Sequence, residues 1–178
     1  MGRWWEKAAS TSKLIEVAEV IGLVEVIKFI DYMKFSDLTE GKRLTLGPLA
    51  VDRDEVIEFA KKYDAQWFHT DPDRAAQGPW DGLIASGWHT CGMAMALVSK
   101  NILEGSESYA SPGLSYVRWP NPVRPDDLLT LDLHVKESRR SSSKPWMGIV
   151  VWRWIMRNQR GEEVLDLEAT SLFRLAQD

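Results

Sequence analysis

Apolar and polar positions divide the chain into two parts. Leu14, Val17, Ile21, Val24 and Ile27 recur at helical spacing, with Glu16, Glu19 and Lys28 largely elsewhere on the wheel. This predicts an amphipathic helix within residues 1–32. Its charges rule out a membrane span and the uninterrupted apolar core of a signal peptide. Residues 1–32 thus read as an extension of a domain over 33–178, and Met33 is a candidate native start. Leu44 to Val51 predicts a short strand, placed at a sheet edge because Gly47-Pro48 interrupts it. Asp52 is a good N-cap for a helix with Val56, Ile57, Phe59 and Ala60 on its apolar side, ending near Tyr63. Pro72 suits the first position of a second helical turn. Leu83 to Lys100 has no charge before Lys100, which predicts a helix buried on all sides.

After a polar link over Asn101 to Ser111, the period changes to two. Leu114 to Trp119 reads as a strand closed by Pro120-Asn121-Pro122. Leu129, Leu131, Leu133 and Val135 alternate with Thr130, Asp132, His134 and Lys136, which gives a strand with one wet face. Met147 to Met156 is apolar on both faces and reads as a central strand. Asn158 to Gly161 makes a hairpin turn, and Leu165 to Leu175 alternates again. An antiparallel sheet covering one apolar helix is an α+β domain. Its remaining face and edges need cover, which favours a homodimer.

Composition narrows the class further. At 178 residues, the chain is long enough to bury a core. A net charge of −4 argues against a nucleic-acid partner, which would need a basic stripe. The single cysteine, Cys91, excludes an internal disulfide framework, and no Cys/His spacing suggests a metal site. No cofactor is expected, and the cytoplasm is the default location.

Candidate chemistry concentrates in Asp64-Ala65-Gln66-Trp67-Phe68-His69. A carboxylate beside an imidazole can fix its tautomer and hold a water with it, and an apolar cleft would move both pKa values toward neutral. Trp67 and Phe68 would supply dry walls. By spacing alone, Asp64 reads more readily as a turn residue and His69 as a hydrogen-bonded loop histidine. Gly87, near a helix start, leaves room for a substrate carbonyl to approach unpaired backbone N–H groups. A tightly packed helix start would explain the same glycine. His89 reads as a satisfied core histidine, His134 as a wet-face residue and Cys91 as an inert thiol.

The ordered motifs Asp64-x-x-x-x-His69, Asp71-Pro72-x-x-Ala75 and Gly82-x-Ile84-Ala85-Ser86-Gly87 resemble MaoC-like dehydratases of the (R)-specific enoyl-CoA hydratase type. So do Pro120 to Asp127 and the hairpin Asn158 to Val164, and the resemblance spans roughly residues 35 to 176. It implies a hotdog fold with the active site at the seam of two subunits. It also implies hydration of a trans-2-enoyl-CoA, with Asp64 as general base, His69 orienting water, and the Gly87 amide binding the thioester oxygen. Gln66 and Trp67 stand where many members have Asn and Pro. Ser86 replaces a common His, and Asp126 a turn glycine. Ser86, Gln66, Trp67 and Phe68 are therefore expected to line the substrate site. Crowding by Trp67, Phe68, Trp80 and Trp88 points to a short, branched or unusual acyl group. Arg118 and Arg124 are candidate CoA phosphate contacts. The competing readings are a hotdog thioesterase, disfavoured because the apolar helix lacks Asp and Glu, and a non-catalytic acyl-CoA-binding subunit.

Overall fold

The computed structural model describes residues 33–176. The predicted amphipathic helix of residues 1–32 lies outside the described residues. Five strands, β1 (Arg43–Ala50), β2 (Ser108–Arg118), β3 (Leu128–Arg140), β4 (Met147–Arg157) and β5 (Glu163–Arg174), form one antiparallel sheet. Their order is β1-β3-β4-β5-β2. Helices α1 (Arg53–Tyr63), α2 (Trp67–Thr70) and α3 (Pro72–Ala76) follow β1, and α4 (Gly87–Val98) precedes β2. One sheet packed on one long helix is the α+β hotdog arrangement.

The period-two strands fold as expected because one face has a core to enter. Leu129, Leu131, Leu133 and Val135 of β3 are buried, together with Val150, Trp152, Trp154 and Met156 of β4. They share a cluster with Met93, Ala94 and Val98 of α4. β1 lies at the sheet edge, and its pairing with β3 shifts between Leu46 and Leu49, where Gly47-Pro48 falls. Proline has no N–H for the ladder, so the edge tolerates it. Asp52 caps α1 by accepting from the Glu55 amide at 2.8 Å.

Two elements depart from the pattern reading. α4 starts at Gly87, four residues later than the apolar run begins. Leu83 to Ser86 is drawn into extended backbone instead. Ile84 N–H donates to Phe68 O, and Ala85 N–H donates to Val123 O at 2.8 Å. Nor is α4 buried on all sides. His89, Thr90, Met93, Ala94 and Val98 face the core, whereas Trp88, Gly92, Met95 and Ala96 are exposed. β2 begins at Ser108, inside the stretch read as a polar link, and is exposed along nearly its whole length. It pairs only with β5, so it forms the second sheet edge. No helix among the described residues is long and apolar enough to cross a membrane.

The turn after β2 is tied down by a buried carboxylate. Asp127 accepts from the Arg124 amide at 2.9 Å, Gln159 Nε2 at 3.0 Å and Arg160 Nη1 at 3.3 Å. Asp126 beside it has φ of 67°, in the left-handed region. Aspartate tolerates that region better than most residues, which lets it stand in for the glycine the motif usually carries.

Candidate active site

Helix α1 ends at Tyr63, and Asp64 closes it with its N–H donating to Ala60 O. The Asp64 carboxylate is held from two sides. Ser86 Oγ donates to Oδ2 at 2.6 Å, and Gln66 Nε2 donates to Oδ1 at 2.8 Å. These donors, Ser86 foremost, hold the Asp64 carboxyl below its ordinary 3.8, against the upward push of burial; the His69 ring adds a smaller lowering. The expectation that Asp64 moves toward neutral is therefore overturned: its cleft is not a bare apolar wall but supplies two hydrogen-bond donors. The group is a fully formed carboxylate at neutral pH.

His69 lies on the single turn of α2 and is 5% exposed. Its Nδ1 is 2.8 Å from Ile84 O. A carbonyl can only accept, so Nδ1 carries a hydrogen. In the neutral ring Nε2 is then an acceptor, and it faces Asp64 Oδ2 at 3.5 Å. While the ring is neutral these two acceptors need a shared donor; a protonated ring would donate to the carboxylate directly. A water giving one hydrogen to each satisfies both, with its oxygen lone pairs turned outward.

Beside His69 is a cavity of about 240 Å³, walled by Trp80, Ile84, Ala85, Gly87, Trp119, Val123 and neighbouring residues. Gly87 is the first residue of α4, and its N–H finds no acceptor among the described residues. Ser86 is the helix cap, its Oγ accepting from the Trp88 amide at 3.2 Å. Asp64 is not part of the cavity wall, and its side chain is 20% exposed. A larger cavity of about 490 Å³ lies over the outer sheet face, lined by Arg43, Asp132, His134, Arg153 and Arg157. Its charges are largely paired: Arg157 with Asp132 and Glu163, and Arg153 with Asp166. It presents a network of ion pairs rather than a water-holding pair.

The structure brings Asp64, Gln66, His69, Ser86 and Gly87 together and separates the other candidates. Gln66 turns to Asp64 and positions it, away from the cavity wall. Trp67 packs over Gly78, with the Arg74 guanidinium 4.7 Å above its ring. Phe68 meets the His69 ring edge-on at 4.4 Å and buttresses it from behind. Trp88 is exposed and does not line the cavity. Arg124 is committed to the carbonyls of Trp80 and Asp81, and Arg118 stacks over Tyr116. His89 is buried, stacks on Phe59 and points Nε2 at Glu55, 3.3 Å away, but its Nδ1 has no partner among the described residues. It is a core histidine, though not a fully satisfied one. Burial raises the Cys91 thiol, which keeps it protonated.

Two site residues were not legible as such. Ser86 was read as a lining residue, yet it joins the helix cap to the carboxylate. Trp119 was read only as the end of a strand, yet it forms a cavity wall. Ser86→Ala removes the strongest donor to Asp64, so the Asp64 pKa rises. A reaction that needs the carboxylate ionised is lost as pH falls through that pKa, so the acidic limb of kcat/KM against pH should move to higher pH. An unmoved limb would contradict this link. Loss of the cap also costs about 1 kcal/mol of stability.

An antiparallel sheet on one helix, with an acid–imidazole pair beside that helix's first turn, defines a hotdog domain. The sequence profile described as MaoC like domain matches residues 34–149, well over half of the chain, and the chain belongs to that family. The MaoC-like dehydratase from Rhodospirillum rubrum superimposes with a TM-score of 0.73 at 32% identity, over 80% of this chain and 97% of that one. The uncharacterized protein YdeM of Bacillus subtilis is 27% identical over 136 residues, 76% of this chain and 95% of its own. The 3-hydroxyacyl-thioester dehydratase Z of Mycobacterium tuberculosis is 36% identical over 77 residues, 42% of this chain and 51% of the dehydratase.

Proposed function

We propose that this domain is a hydro-lyase that adds water across the double bond of a trans-2-enoyl-CoA, or removes it from a 3-hydroxyacyl-CoA. The observation that carries this is the pair of facing acceptors, Asp64 Oδ2 and His69 Nε2, 3.5 Å apart beside a free helix-start amide. Membership of the dehydratase family and the partial match to a 3-hydroxyacyl-thioester dehydratase support it.

The chemistry follows from the hydrogen positions. Water donates to both groups, and its oxygen adds to the β carbon as Asp64 takes one proton. Charge moves to the thioester oxygen, where the Gly87 N–H donates to the forming enolate. His69 Nε2 relays the proton from Asp64 to the α carbon. The thioester gains the elements of water, and both side chains return to their starting states. Water and proton arrive from one side, so the addition is syn; the (R)-specific hydratase type is proposed from the resemblance of the Asp64-to-His69 and Gly82-to-Gly87 motifs to that type.

The site works as a dimer in this reading. The exposed face of α4 (Trp88, Gly92, Met95, Ala96) adjoins the unpaired edge β2 with exposed Tyr109 and Leu114. A second copy pairing antiparallel to β2 extends the sheet and covers that face. Sedimentation should give a dimer or a multiple of it; a monomer at micromolar concentration would contradict this arrangement.

The test is to mix pure protein with crotonyl-CoA and follow the conjugated enoyl absorbance together with free thiol. Absorbance should fall with no thiol released. Thiol release would make the protein a thioesterase, and tight binding without turnover would make it a non-catalytic subunit.

A further inference from the structure

Two indoles border the cavity beside His69, and they are held in different ways. Trp119 lies against the bare α carbon of Gly87, so closely that a Cβ there would come within 2.6 Å of its ring. Trp80 is 44% exposed and sits in the middle of the loop Gly78 to Gly82, between α3 and α4. Both ends of that loop are tied to one atom: Gly78 N–H and Gly82 N–H donate to Ala75 O, at 3.1 and 3.0 Å. Between them the chain reverses through Asp81, with φ of 52°, and Gly82, with φ of 128°. The left-handed region costs an aspartate more than a glycine, so the loop needs a hold from outside itself.

Arg124 supplies that hold. Its Nη2 donates to Trp80 O at 2.5 Å, and its Nη1 donates to Asp81 O at 3.4 Å. The guanidinium thus bridges two consecutive carbonyls of the loop. Arg124 is itself fixed from behind, because its backbone N–H donates to the buried Asp127 carboxylate, which Gln159 and Arg160 also hold. Pro122 and Val123, just before it, line the same cavity. One turn therefore shapes two walls: Pro122 and Val123 form one directly, and the guanidinium sets Trp80 in the other. Neither Arg124 nor Trp80 takes part in the hydrogen bonds that hold Asp64 and His69.

We propose that Arg124 is the positioning residue of the acyl pocket: it latches the loop Gly78 to Gly82 so that Trp80 closes the cavity around the bound acyl group. The inference rests on the acyl-thioester reading above and deepens it, by naming the wall that grips the substrate and the residue that sets that wall. It gives Arg124 a role through the protein's own carbonyls in place of the CoA phosphates. At about 240 Å³ the cavity is below the usual range for drug-sized ligands and suits a short acyl group, so one loosened wall matters to binding.

The experiment measures steady-state hydration of crotonyl-CoA by the full-length wild type, Trp80→Ala, Arg124→Gln, Arg124→Lys and each Arg124 variant combined with Trp80→Ala. Trp80→Ala should raise KM about tenfold, the loss expected from one partly exposed aromatic contact, with kcat within about threefold of wild type. Arg124→Gln should raise KM about fivefold, again with little change in kcat, and Arg124→Lys, which keeps a donor for one carbonyl, should fall between it and wild type. In the double variants the Arg124 change should add less than about twofold to Trp80→Ala, because its effect passes through that ring. Calorimetric titration of butyryl-CoA, which cannot be hydrated, should rank the affinities in the same order. Thermal melts check the fold, and the Lys pair carries the test if Arg124→Gln does not fold. A roughly fiftyfold product of the two single effects would mean that Arg124 meets the thioester directly or serves only the fold, and would overturn the proposal. So would an unchanged KM in Trp80→Ala, or a loss confined to kcat. With wild type still hydrating crotonyl-CoA, those results remove only the role of Arg124. If wild type neither hydrates crotonyl-CoA nor binds butyryl-CoA, the reading of the site falls and this proposal with it.

Discussion

Asp64→Asn should lower kcat/KM for crotonyl-CoA by about a thousandfold, within the range that a positioned general base contributes. Asparagine keeps the size and one acceptor oxygen of aspartate, so Ser86 can still donate to it. It cannot take a proton. The Asp64 backbone N–H bond to Ala60 O is untouched, so the fold should persist with a melting temperature near that of wild type. Steady-state rates and a thermal melt on the same preparation check both halves. Activity within tenfold of wild type would remove Asp64 from the proton transfer.

Trp152→Ala should cost about 3–5 kcal/mol of stability, the usual range for emptying an aromatic site in a core. That corresponds to a melting temperature roughly 10 °C lower for a domain of this size. Trp152 is fully buried on β4, and its indole N–H donates to Ser171 Oγ at 3.2 Å. Truncation leaves both a cavity and an unpaired buried hydroxyl. Trp154 is the internal control. It packs edge-on against Trp152 with centroids 5.4 Å apart, but its indole N–H is buried with no partner among the described residues. Trp154→Phe removes a donor that costs stability where it stands, so its loss should stay within about 1 kcal/mol. A large loss for Trp154→Phe, measured by denaturant unfolding, would contradict the cost assigned to its unpartnered N–H.

The parts legible from sequence are those set by neighbours along the chain. The Asp52 cap, the alternation of β3 and the hairpin at Asn158 to Gly161 depend on a few adjacent residues. Asp64 and His69 were findable because an acid and an imidazole are uncommon within so apolar a segment. The hidden parts depend on where distant segments meet. Ser86 reaches Asp64 across 22 positions, and nothing local shows that its hydroxyl serves the carboxylate and the Trp88 amide together. Trp119 is 32 positions beyond Gly87, and only the strand pairing that carries β2 past the helix start brings its ring there. The start of β2 had no period to read because neither of its faces enters the core. The apolar surface of α4 was misread as burial against its own sheet, because pattern alone cannot say whether the cover comes from the same chain. Trp67 was misplaced for a smaller reason. In the single turn of α2, side chains two positions apart face different ways, so Trp67 turns to Gly78 while His69 turns inward.

The central claim is that a water held by Asp64 and His69 adds to an enoyl thioester. The most direct measurement runs the reaction with crotonyl-CoA in water enriched in heavy oxygen and analyses the products by mass spectrometry. One heavy oxygen should appear in an intact 3-hydroxybutyryl-CoA, with no free CoA, and Asp64→Asn should abolish that product. Heavy oxygen in a free carboxylic acid, released together with CoA, would contradict the claim.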